Sequence, residues 1–171
     1  MNTTTPPLLR TAAAHLRLWL AFSICAFATG TALAQPATGN GQTLYLPVYS
    51  HVYHGDVDSK GAPQQTLVSA LVSIRNTDLN KKIRITSAVY YDTHGKKLRE
   101  YLPKPVTVSP MGTHEIFVPR NETAGGSGAN FVIVWQSDEA ANAPVVEALH
   151  LNMPAGRSIA FITTARPIAT R

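Results

Sequence analysis

From Leu44 onward, apolar and polar residues alternate in short runs, and each run is closed by residues that favour turns. A period of two predicts strands over residues 44–53, 67–75, 83–91, 97–102, 106–108, 114–118, 130–136, 145–151 and 159–164. Gly55, Gly61-Ala62-Pro63, Asn76-Thr77-Asp78, Asp92-Thr93-His94-Gly95, Pro110-Met111-Gly112, residues 125–128 and Pro154-Ala155-Gly156 stand between them. No stretch of this body carries a convincing helical period, and no internal repeat is visible. Short strands at this spacing predict one all-β domain, an antiparallel β-sandwich.

The alternation also assigns faces. In the first run Leu44, Leu46, Val48 and Val52 share one side, while Tyr45, Tyr49, His51 and Tyr53 share the other. Pro47 has no N–H for a ladder, which places this strand at a sheet edge. Residues 131–135 are apolar on both faces, as in a central strand covered on both sides. Ile83, Ile85, Val89 and Tyr91 form a further apolar stripe. The turn after it permits two registers. A plain four-residue turn pairs Tyr91 with Lys96 and puts Leu98 and Leu102 on the face of Val89 and Ile85. A left-handed Gly95 shifts the pairing by one and sends both leucines to the other face. The first gathers the apolar side chains and is the expected register.

The residues ahead of this body differ in kind. Arg10, His15 and Arg17 form a basic leader, residues 18–28 an apolar run too short to span a bilayer, and Ala32-Leu33-Ala34 a small-residue cleavage motif. They predict a helical signal peptide over residues 1–34, cut after Ala34 for a periplasmic or secreted chain. A disordered lead-in over residues 35–43 and a single domain over residues 44–171 are expected to follow. The only cysteine, Cys25, lies in the leader, and the bulky Ile24 before it does not suit a lipoprotein cut. The exported body therefore has no disulfide, thiolate nucleophile or cysteine metal site, and holds by packing alone. No stable membrane anchor is expected after the leader is removed. Loss of Arg10 and Arg17 lowers the formal net charge of +5 by two, too weak a field for nucleic acid to be the expected partner. Charged residues make up 15% of the chain. Mild attraction to anionic envelope polymers or lipid heads is compatible with that balance.

Candidate chemistry is sparse. His51, His54, Asp56 and Asp58 are a possible ligand group. The run beginning at Asp56 opens like a calcium loop but carries Lys60 at a ligand position and Leu67 where a glutamate is required. Gly125, Gly126, Ser127, Gly128 and Asn130 belong to a glycine-rich connection able to surround an anion with N–H groups. No lysine or helix follows it as in a phosphate-binding loop, and Ala129 breaks the nucleophile-elbow pattern around Ser127. The ordinary reading is a tight turn with left-handed glycines, stitched by Asn130. The aromatic stripe Tyr45, Tyr49, His51 and Tyr53 suits contact with a glycan or peptide. Lys81, Lys82, Arg84, Lys96, Lys97, Arg99 and Lys104 spread positive charge along a hairpin, which also protects an edge. Glu147 shares its face with Val145, Leu149 and Leu151, and if buried needs a partner such as an arginine.

The phrases at residues 44–56 (LYLPVYSHVYHGD), 72–78 (VSIRNTD), 85–102 (ITSAVYYDTHGKKLREYL) and 125–135 (GGSGANFVIVW) together resemble a small bacterial exported family, domain of unknown function 3124. The resemblance spans the body of the chain and implies an immunoglobulin-like sandwich with no assigned activity. It implies no cofactor. The expected function is a non-catalytic binding or accessory module of the cell envelope, with an envelope protein or glycan as partner. The contact residues expected are Tyr45, Tyr49, His51, Tyr53 and the glycine loop. The alternatives are an envelope-directed hydrolase using Ser127 with a histidine, a metal protein using His51, His54 and Asp56, or an accessory that pairs an open sheet edge with a client strand.

Overall fold

A computed structural model describes residues 38–169, so the expected signal peptide lies outside the described residues. Twelve strands follow in order: β1 (Thr38–Pro47), β2 (His51–Val57), β3 (Pro63–Leu67), β4 (Ser69–Arg75), β5 (Ile83–Tyr91), β6 (Lys97–Glu100), β7 (Val106–Val108), β8 (Thr113–Val118), β9 (Asn130–Asn142), β10 (Val145–Asn152), β11 (Ile159–Thr164) and β12 (Arg166–Ile168). They form a six-stranded sheet ordered β12-β1-β9-β5-β6, with β7 also on β5, and a four-stranded sheet ordered β11-β10-β4-β8. All pairings are antiparallel. Between the sheets lie Leu44, Leu46, Ile85, Tyr90, Phe131, Ile133 and Trp135 from one layer and Val72, Ile74, Ile116, Val118, Val146 and Ala148 from the other. The all-β sandwich anticipated from alternation is the fold observed.

Several details differ, each for a physical reason. The chain is paired from Thr38, opposite Asn142, so residues 38–43 are strand rather than disordered lead-in. The expected strand over residues 44–53 is broken at residues 48–50, where the chain leaves the six-stranded sheet and starts the separate β2–β3 hairpin. Inside that break Val48 donates to the Ala129 carbonyl and Ser50 to that of Gly126. β1 is not an edge strand, because β12 lies outside it. Pro47 is tolerated because β12 pairs only with Thr43 to Tyr45 and ends short of it.

The apolar stripe of β5 changes face at a bulge between Ile85 and Ser87. Ile83 and Ile85 point inward, then Ala88 and Tyr90, so Val89 and Tyr91 are half-buried on the outer face. Glu100 completes this bulge: its carboxylate accepts from Ser87 Oγ and the Ala88 N–H, both at 2.8 Å, and from the Leu102 N–H at 3.1 Å. Burial raises the pKa of this carboxyl, but those three bonds more than reverse the effect and leave it below the ordinary value. The β5–β6 hairpin takes the alternative register. Gly95 is left-handed at φ 80° and Tyr91 pairs with Lys97, not Lys96. Leu102 is nevertheless buried and Leu98 packs against the core, because the inner face had already changed at the bulge and a second irregularity lies between Tyr90 and Tyr91. β9 is central, as its apolar sequence indicates, but Val132 and Val134 are half-buried with no layer over them.

One core residue carries a titratable ring. His150 is fully buried on the inner face of β10, stacked on Phe161 with ring centroids 4.4 Å apart, and its Nε2 accepts from the Tyr49 N–H at 3.1 Å. Its Nδ1 is buried without a hydrogen-bond partner. Burial pushes the His150 pKa down to about 4, against the nearby carbonyls of Ala148 and Phe161, which favour the charged ring. A neutral buried imidazole has a definite pH signature. Below the ordinary value of 6.5 the unfolded chain takes up a proton that the folded chain refuses until about pH 4. Stability from this group is therefore complete above pH 6.5 and falls between pH 6.5 and 4, by about 3 kcal/mol at most. Urea melts across that window should show the decline in the wild type and a flatter profile in His150→Phe.

Candidate functional site

The glycine loop sits at the end of the sandwich where β4 begins, and its tightness comes from contact rather than from left-handed backbone alone. Gly126 is left-handed at φ 78°, whereas Gly125 is a glycine because a Cβ there would stand 1.9 Å from the Tyr90 hydroxyl and 2.8 Å from the Ala129 Cβ. The Tyr90 hydroxyl is buried and bonds Ser50 Oγ at 3.2 Å; burial raises its pKa above the ordinary phenol value, and the Ser50 bond only partly offsets this. Thr93, in the turn after β5, supplies the stitching expected of Asn130: its N–H and Oγ1 donate to the Gly125 carbonyl, and its Oγ1 accepts from the Gly128 N–H at 2.9 Å. Two of the loop amides thus bind the chain itself, Gly128 to Thr93 and Gly126 to the Thr123 carbonyl at 3.3 Å. Ser127 lies between glycines packed on Thr93, while His54 bonds Thr66 Oγ1 and His150 bonds the Tyr49 amide, so no base is delivered to it by those contacts.

The aromatic stripe is divided. Tyr45 is partly exposed on the outer face of the six-stranded sheet. Tyr49 packs edge-on against His150 and Phe161, both at 5.6 Å, at the break in the strand. His51 and Tyr53 pack on each other at 4.9 Å in the β2–β3 hairpin. Among the described residues no three His, Cys, Asp or Glu side chains come together as a metal cage. The tip of that hairpin is built by Asp58, whose Oδ1 accepts from the N–H groups of Lys60 and Ala62 at 2.8 and 2.9 Å. Those bonds, Ala62 first, hold its carboxyl below the usual carboxylate value. Glu147 lies on the outer face of its sheet, half-exposed, and pairs with Arg75 at 2.7 Å.

Concave surface lies elsewhere, around Asn152 at the end of β10. Three adjoining depressions of about 390, 460 and 400 Å³ share this residue. Arg120 borders the first and third, Thr66 the first two, and Arg157 the second; no acidic side chain lines any of them. Asn152 Nδ2 donates to the Leu67 carbonyl at 2.7 Å, which fixes the amide and leaves Oδ1 a buried acceptor without a partner. Arg120 and Arg157 are exposed, and among the described residues neither forms an ion pair. The opposite end has a larger depression of about 640 Å³, bordered by Lys81, Asp138 and Glu139. It sets Lys81 and Lys82 against Asp138 and Glu139; Lys81 meets Glu139 at 3.8 Å, and Arg84, from the adjoining depression, meets Asp138 at 3.5 Å. Sequence reasoning missed Asn152, Arg120 and Arg157, whose only signal was arginine in turns with no acid immediately beside it.

The loop packing has a direct consequence. Gly125→Ala should destabilise the fold by about 3 kcal/mol through overpacking. Tyr90→Phe should cost about 1 kcal/mol through loss of the Ser50 bond. The double variant should be more stable than the sum of the two costs implies, because the hydroxyl that meets the new methyl is gone; chemical denaturation of the four proteins measures this coupling.

No curated protein matches the chain. A solved structure, the crystal structure of Thermotoga maritima 1070, is similar at 12% identity over 75% of this chain and 95% of its own, with a TM-score of 0.41, too slight a likeness to bear on fold or function. A family model for a protein of unknown function matches residues 41–168, which include all four of the phrases that carry the resemblance. Over residues 41–168 the chain therefore belongs to the family of proteins of unknown function designated DUF3124.

Proposed function

We propose that this protein is a non-catalytic binding module of the cell envelope and that its contact surface is the groove around Asn152. The observation that carries the reading is the charge of that groove. Arg120 and Arg157 border it with no acid among its lining residues, whereas the larger depression at the other end sets Lys81 and Lys82 against Asp138 and Glu139. Uncompensated guanidinium groups beside a concave surface favour an anionic partner and speed its encounter. Placement in the envelope rests on the basic leader, the apolar run of residues 18–28 and the Ala32-Leu33-Ala34 motif.

Photo-crosslinking residues placed at Asn121 and Met153, beside the groove, should capture envelope components, and Arg120→Glu with Arg157→Glu should reduce the yield several-fold. The same probe at Tyr45 or Ile168, on the other sheet, should capture little. Equal capture at Tyr45, or indifference to the two arginines, would refute the assignment.

A further inference from the structure

The groove opens onto the outer face of the four-stranded sheet, since Phe117, Leu151 and Met153 line its third depression. That face carries an uninterrupted apolar row. Register places Ile162 opposite Leu149, Leu149 opposite Leu71 and Leu71 opposite Phe117, one residue from each strand. The ends of the row are open to solvent, Ile162 at 60% and Phe117 at 59% exposure, and Met153 stands 72% exposed on the turn after β10. A contiguous apolar strip on an exposed face marks a contact surface. Here it adjoins two unpaired arginines.

Deepening the reading of the groove as a binding surface, and resting on it, we propose that the partner met at this end is an anionic lipid surface on which the module docks reversibly. An acidic polysaccharide accounts for the arginines but leaves the strip in water. An apolar protein surface accounts for the strip but leaves the guanidinium groups unmatched. Phosphate oxygens suit the planar forks of Arg120 and Arg157, and the boundary between headgroups and acyl chains suits Met153 and Phe117.

Charge sets the orientation. Glu115 and Glu147 lie one same-face row beyond Phe117 and Leu149, farther from Asn152 by about 7 Å. Glu147 is bonded to Arg75, and Glu115 is exposed. An anionic bilayer attracts the Asn152 end and repels the Glu115 end, so the sheet meets the membrane tilted, with the turn bearing Met153 and Arg157 foremost.

The test uses the chain purified after export, its mass confirming that the leader is gone, in sedimentation with vesicles of phosphatidylglycerol or of phosphatidylcholine. Binding should be confined to phosphatidylglycerol and should weaken with added salt. Arg120→Glu with Arg157→Glu should weaken it by about tenfold or more. Phe117→Ser with Met153→Ser should weaken it several-fold without changing its salt dependence; all four positions are exposed, so melting temperatures should match the wild type. Equal binding to phosphatidylcholine, indifference to either pair, or full displacement by soluble glycerol phosphate overturns the proposal. If vesicles fail to bind while crosslinking at Met153 still depends on the arginines, the lipid surface is refuted and the groove stands. If that crosslinking is lost as well, both fall.

Discussion

A tyrosine hydroxyl buried at the end of a sandwich must find a partner, and at Tyr90 that requirement joins three distant stretches of chain. Ser50 meets the hydroxyl from the break after β1, and Gly125 covers it by having no side chain. Thr93, three residues beyond Tyr90, then holds the Gly125 carbonyl and the Gly128 amide. A domain without a disulfide in its described body must close its ends by such contacts, because apolar packing between sheets does not determine where the loops go. The crossover at residues 48–50 is held by the same loop through the Ala129 and Gly126 carbonyls, so the positions of the β2–β3 hairpin and the Asn152 groove follow from it.

The far end is closed by a polar counterpart. Asn76 is buried, and its amide donates to the carbonyls of Lys81, Val108 and Ser109 while its Oδ1 accepts from Asp78. Asp78 in turn accepts from the N–H groups of Asn80, Lys81 and Asn142. Those amides, Asn80 first, hold its carboxyl below the usual carboxylate value. A single amide thus reconciles the loops after β4 and β7, whose carbonyls would otherwise be left without donors inside the fold. The phrase RNTD, which the sequence marks as a turn, and GGSG, which it offers as an anion loop, both serve these closures.

What was legible in the sequence was what a period of two can carry. β4, β5, β7, β8, β10 and β11 lie within a few residues of their expected bounds because each alternates or is apolar throughout. β3, β12, the start of β1 and the end of β9 are polar or exposed, so they carry no alternation and their pairing depends on neighbours. Within β5 the faces were readable only up to its bulge. The extra residue near Ser87 inverts the rest of that strand, and its one sequence correlate is Glu100, a carboxylate thirteen residues away. The groove was less legible still, because Thr66, Arg120, Asn152 and Arg157 come from separate strand ends and turns with no periodicity to link them.

The distribution of compensation separates the two ends more sharply than their shapes do. Fold-internal demands are met at the Asn76 end, where carboxylates and amines answer one another across β5 and β9. They are met again in the glycine loop, where Thr93 takes up the amides. Around Asn152 the accounting stays open: one amide oxygen is buried without a donor, and two guanidinium groups stand without a carboxylate. A fold of low charge density, 15% of its residues, has no need to leave cations beside a cavity for solubility. On the proposed reading, two guanidinium groups without a carboxylate, next to an apolar strip the fold does not use, are what a partner outside the chain would complete.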